Sequence, residues 1–180
     1  MAATTRTDSG ARASSEERRE QVIAAALKEF ADHGFHATST GAIAKRAGIS
    51  QPYIYALFRN KHELFLAVHE HVVDRIRHAF TEAARGHATP EERLLAMGGA
   101  YFELLGNRDE ILFQMQSHAA AGDPALREPV RKEFMRLVED VRRMSGASDE
   151  QVMSFMAKGM LLNVVAALEL PEEYGQPPVC

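Results

Sequence analysis

Gln51, Pro52 and Tyr53 stand side by side, and their side chains suit one kind of chemistry. A glutamine amide offers a donor and an acceptor together, which matches the exposed edge of adenine, while proline and tyrosine pack on thymine methyl groups. Thr40 carries a hydroxyl and Lys61 an ammonium, both suited to phosphate oxygens. Lys61 also opens a long helical pattern, where free backbone amides favour an anion. This set reads as a nucleic-acid surface rather than a catalytic one. The sequence contains no His-Glu-x-x-His pair, cysteine cluster, EF-hand loop, phosphate-binding glycine loop or Gly-x-Ser-x-Gly elbow. An enzyme, a metal site and a cofactor are therefore not expected.

Such side chains work only if a short helix presents them. Ile43 to Ala47 reads as a supporting helix, with small Ala44 and Ala47 allowing close approach. Gly48-Ile49-Ser50 reads as the turn: Gly48 is free to take φ > 0, Ile49 plugs the angle and Ser50 caps the next helix. That second helix spans Gln51 to Leu57, with Pro52 tolerated in its first turn. Two helices joined this way form a helix-turn-helix, whose second helix lies in the major groove. Thr40 is expected to cap the supporting helix, and Gly41 beside it has no side chain with which to read a base.

The rest of the chain repeats the helical spacing, and no period-2 strand pattern is found. Ser14 with Glu17 predicts a capped helix ending at Gly34; Asn60 and Glu63 start another that runs to about Ala84. Thr89-Pro90-Glu91-Glu92 starts a third, broken at Gly106-Asn107, and one more ends near Ala121-Gly122. Asp123-Pro124 begins a helix to about Met144 that Pro129 should kink or delay, and Ser148 with Gln151 caps a last one to about Leu168. The fold class is all-α: a flexible arm over 1–13, a three-helix head over 14–61, a body over 62–170 and a tail over 171–180.

Thr40 to Ser50, then Tyr53-Ile54-Tyr55-Ala56-Leu57-Phe58-Arg59-Asn60-Lys61 and Leu64-Phe65, with Phe30 to Phe35 before them, resemble the TetR family of repressors. The resemblance implies a homodimer, a ligand cavity in the body and release of operator DNA when that cavity fills. It also implies a phosphate contact for the phenol of Tyr55, and a four-helix bundle built from the last two helices and their copies.

The body offers candidates for both implied sites. Met97, Tyr101, Phe102, Leu105, Phe113, Gln114, Met115, His118, Met156 and Met160 are apolar or polarisable with a few polar groups, which suits a small hydrophobic effector and equally suits plain core. The last helix is apolar on nearly every side, so one side is expected to meet a second copy through Phe155, Gly159, Leu162, Asn163 and Ala166.

Charge distribution fits a head that meets phosphate. Residues 1–62 carry nine Lys and Arg against six Asp and Glu, whereas 63–180 carry twelve against nineteen, within a net charge of −4. Arg6, Arg12, Arg18 and Arg19 read as either a basic arm trailing into the minor groove or part of an unstructured tail. No signal peptide and no run of the roughly 18–20 apolar residues that a bilayer requires are expected. The lone cysteine, Cys180, leaves no internal disulfide, so the expected setting is cytoplasmic. The expected function is that of a transcriptional regulator, with operator DNA, a second copy and an unknown small molecule as partners and no membrane. A helical adaptor that has lost its DNA contacts is the other reading of the same pattern.

Overall fold

Cap residues set the order of the elements. The computed structural model describes residues 8–171. They form α1 (Asp8–Ala37), α2 (Thr40–Ala47), α3 (Gln51–Leu57), α4 (Lys61–Ala84), α5 (Pro90–Leu104), α6 (Arg108–Ala119), α7 (Pro124–Ser145) and α8 (Asp149–Leu168), and no strand occurs among them. Reciprocal capping boxes start α5 at Thr89/Glu92 and α8 at Ser148/Gln151. Asp123 caps α7 by accepting from the Ala125 amide at 2.9 Å, and Pro124 follows in the first turn.

Three local expectations need correction. α1 starts at Asp8 and runs through Ser14, so residues 8–13 belong to a helix and Ser14 is no cap. Residues 1–7 of the expected arm, and the tail from 172, lie outside the described residues. Pro129 sits inside α7 and does not delay its start. Gly34 does break α1, at φ 70° and ψ 177°, but one further turn follows it. A Cβ at Gly34 would stand 2.7 Å from Gln116 Oε1, an amide that can turn aside, so it is the positive φ that reserves position 34 for glycine.

One core runs from the first three helices into the rest. Phe65 on α4 is fully buried, with ring centroids 4.9 Å from Phe30, 5.2 Å from Phe35 and 5.1 Å from Phe113. Each such ring contributes about 1.5–3 kcal/mol through apolar burial. Polar links cross at the same place: Lys28 to Asp109 at 2.9 Å and His62 to Asp123 at 2.8 Å. Farther along, Arg77 ties α4 to α7 through Asp140 at 2.8 Å and Glu133 at 3.1 Å. The reading head therefore rests on α6 and the start of α7.

α8 differs from the other helices. By length and composition alone it could cross a membrane, against expectation: its most apolar stretch has mean hydropathy 1.4, and 17% of that stretch is buried within the chain. It is nonetheless anchored to the body through Val152, Asn163 and Val165.

Candidate nucleic-acid interface

The turn between α2 and α3 is built as its residues require. Gly48 adopts φ 66° and ψ 30°, and the Ile49 amide closes on the Ala44 carbonyl at 3.0 Å. Ile43, Ala44, Ala47, Ile54 and Phe58 are buried beneath it, so both helices are fixed by core packing. Arg19 from α1 fastens the far side, donating to the Leu57 carbonyl at 3.1 Å with its guanidinium 4.2 Å above the Phe58 ring. It is a brace and not part of a free arm.

Outward from this frame stand Gln51, Pro52 and Tyr53, all exposed on the first turn of α3. The expected polar contacts are more interconnected than their spacing suggests. The Gln51 amide donates to Thr40 Oγ1 at 2.8 Å, and the same oxygen lies 3.0 Å from the Tyr55 hydroxyl. Thr40 is 6% exposed, so its hydroxyl joins the two helices from within. The cap of α2 is Ser39 and not Thr40, with Ser39 Oγ accepting from the Ala42 amide at 3.1 Å. Tyr55 remains half exposed and keeps hydroxyl capacity for another partner.

Lys61 departs furthest from expectation. Its ammonium donates to the carbonyls of Phe35 at 2.8 Å, Thr38 at 3.0 Å and His36 at 3.4 Å, and lies 4.6 Å from the Phe35 ring centroid. All three N–H bonds are used on the carbonyl end of α1, where a cation is favoured. Lys61 is a cap for α1 in the DNA-free chain. Arg46 is likewise committed, at 2.7 Å, to the buried Glu29 carboxylate, whereas neighbouring Lys45 stays exposed.

The body separates the candidates for an effector site. Met97 and Phe113 are fully buried core, and Leu105 and Met156 pack against that core. Gln114, Met115 and Met160 are half-buried. The Tyr101 hydroxyl donates to Asn163 Oδ1, with Gln114 Oε1 a further 3.2 Å neighbour of the same oxygen. Phe102 points away, 56% exposed on the outer face of α5. An open cleft of about 550 Å³ follows α1 and α4, lined by charged groups such as Glu20, Glu70, Asp74 and Arg75, and none of the expected residues lines it.

His69, which spacing alone does not single out, is 6% exposed on α4 with Nε2 unpartnered, and His118 on α6 has Nδ1 in the same condition. His69 occupies a core position between Phe65 and Val72, which is the available signal. Burial, with His118 opposing a second charge, lowers its pKa to about 4. Burial lowers that of His118 as well. In the unfolded chain an imidazole titrates near 6.5, so below that pH the unfolded state gains protons that folded His69 refuses. Stability should fall by about 3 kcal/mol from this group as pH drops from about 6.5 to about 4, and no further below that. Urea midpoints at pH 7.5 and pH 4.5 check this: His69→Leu should lose less stability between them than the wild type.

The expected face of α8 also needs correction. Phe155 lies 5.5 Å from the Phe80 ring and 3.8 Å from where a Gly98 Cβ would be. A Gly159 Cβ would meet Tyr101 at 3.9 Å, and Asn163 is 2% exposed. These three face the protomer's own core. Leu162 and Ala166 are half-buried beside them. The outward face carries Met153, Leu161 and Leu168, exposed by 60%, 57% and 65%.

A helix-turn-helix head seated on a helical body is the architecture of a bacterial DNA-binding regulator, and the comparisons agree. Residues 22–68 match the family profile of the bacterial regulatory proteins of the tetR family. The HTH-type transcriptional activator FasR of Mycolicibacterium smegmatis is 38% identical over 96 residues, 53% of this chain and 44% of FasR. The fatty acid metabolism regulator protein of Bacillus subtilis is 25% identical over 112 residues, 62% of this chain and 58% of that protein. The chain thus spans about half the length of these curated relatives. Among solved structures, AibR in complex with isovaleryl coenzyme A and operator DNA shares the fold, with TM-score 0.67 and 19% identity over 82% of this chain and 86% of AibR. Residues 22–68 of this chain thus carry the helix-turn-helix domain of the TetR family of bacterial regulatory proteins.

Proposed function

We propose that the chain is a sequence-specific transcriptional regulator that binds operator DNA as a homodimer and is released from it by a small hydrophobic effector. The observation that carries this reading is the first turn of α3, where Gln51, Pro52 and Tyr53 are exposed on a helix braced from below. Tyr55 and the exposed Lys45 flank that turn as phosphate contacts. Lys61 reaches phosphate only by giving up an α1 carbonyl. The division of labour is then that α1–α3 read DNA, and α4–α8 sense and dimerise.

An acyl thioester fits the effector. The Bacillus subtilis relative is named for fatty acid metabolism, and AibR was solved with isovaleryl coenzyme A. The second copy covers the outward face of α8, because an apolar helix so little buried in its own chain needs an apolar neighbour. Asp149, Glu150 and Lys158 on this helix, with its seating on the body, favour a protein neighbour over lipid. The protein then acts in the cytoplasm, where bacterial DNA lies.

Selection of bound DNA from a random library, followed by anisotropy titration, tests the reading. An inverted repeat bound at about 10⁻⁸ M or tighter is expected. Tyr53→Ala should weaken that site roughly 5- to 100-fold and alter the preferred bases, with little loss of stability because the ring is exposed. Binding that is micromolar, indifferent to sequence and lost at moderate salt would favour the adaptor instead.

A further inference from the structure

Nearly every buried polar side chain in the body has a partner. Glu110 takes Arg75 and Asn107, Ser117 donates to the Gln114 carbonyl at 2.8 Å, and Ser145 to the Val141 carbonyl at 2.7 Å. Asn163 is held by Tyr101. Among the described residues, two buried side-chain atoms are left without a partner: His69 Nε2 and His118 Nδ1. They stand on α4 and α6, which pack on one another. An unpaired polar atom inside a protein is costly, so its persistence calls for an absent ligand or water.

We propose that His69 and His118 form the polar end of the effector site, where their ring N–H groups hold the carbonyl oxygen of an acyl thioester. This rests on the proposed regulator function and names the part of the effector that is recognised.

The surroundings select this chemistry. Two rings held neutral by burial offer N–H donors without charge, which suits an uncharged acceptor oxygen. A bound cation is disfavoured: no group of three His, Cys, Asp or Glu suited to a metal occurs among the described residues. Glu133, the acidic group whose charge acts on His69, is already taken by Arg77 at 3.1 Å. Phe134 packs edge-to-face with His118, ring centroids 6.1 Å apart. The helices involved also lead to the head. α4 begins at Lys61, α6 packs on α1, and an oxygen shared by both rings would set their spacing.

The experiment is calorimetric titration of the full chain with decanoyl-coenzyme A, free coenzyme A serving as control, beside thermal melts. His69→Leu and His118→Leu should each weaken binding about tenfold or more. His69→Leu should melt no lower than the wild type, since it removes an unpaired buried group. His69→Gln, which keeps an N–H donor, should recover part of the affinity. Folded variants that bind as tightly as the wild type would overturn the inference, leave the acyl-effector reading intact and assign the two nitrogens to buried water. If decanoyl-coenzyme A fails to bind the wild type, the acyl reading falls and takes this inference with it. Should His69→Leu fail to fold, His118→Leu decides.

Discussion

Phe65→Ala should lower the unfolding free energy by about 3–5 kcal/mol, a large part of the roughly 5–15 kcal/mol that a domain possesses. The ring is fully buried and meets Phe30, Phe35 and Phe113, which come from α1 and α6. Three helices would have to shift together to close the cavity. The melting temperature should fall by about 10 °C, at roughly 2–4 °C per kcal/mol for a chain of this size. Urea unfolding checks the size of the effect: the midpoint should move while the slope stays constant. A loss under about 1 kcal/mol would mean that the neighbouring rings collapse into the space, and that the joint between head and body is softer than its packing implies.

Met153→Glu combined with Leu161→Glu should convert the proposed dimer to a monomer and weaken the proposed operator binding by about a hundredfold or more. Both side chains project from α8 away from their own protomer, and Phe134 and Met135 on α7 add exposure of 37% and 62%. In a symmetric interface every apolar side chain is buried twice, at about 1.5–3 kcal/mol for each copy. Two carboxylates per copy would have to be desolvated without a partner, which removes that gain and adds a penalty. Sedimentation velocity reads the assembly, and circular dichroism should show unchanged helix because the face lies outside the protomer. A dimer that survives the double substitution would move the interface elsewhere, with Leu95 and Phe102 on α5 the next exposed apolar pair.

The starts of α5, α7 and α8 and the turn after α2 are legible because they are written locally. Thr89 with Glu92, Ser148 with Gln151, Asp123 before Pro124, and Gly48 all act within one turn of where they stand. What a side chain does across helices is not legible in the same way. Ser39 and Thr40 are both able to cap α2, and only the packing against α3 decides that Thr40 turns inward to Gln51 and Tyr55. Lys61 finds carbonyls more than twenty residues away, where periodicity carries no information. α8 is apolar on so many sides that no stripe distinguishes its inner face; Phe155, Gly159 and Asn163 read as outward for that reason. His69 escapes a search by histidine spacing, and its place in an apolar row is the clue.

The bond from Gln51 to Thr40 bears on how such a head would travel along DNA. Gln51 stays exposed beside Pro52 and Tyr53, but its amide N–H is engaged by Thr40 on α2. Over an ordinary stretch of duplex nothing would replace that bond, so the side chain would stay folded and the protein would slide on its phosphate contacts. At a matching adenine two new hydrogen bonds would replace the one given up, and the exchange would become favourable. Searching and reading would then be two rotamers of one glutamine, and Gln51→Ala would leave the protein able to slide but slow to stop.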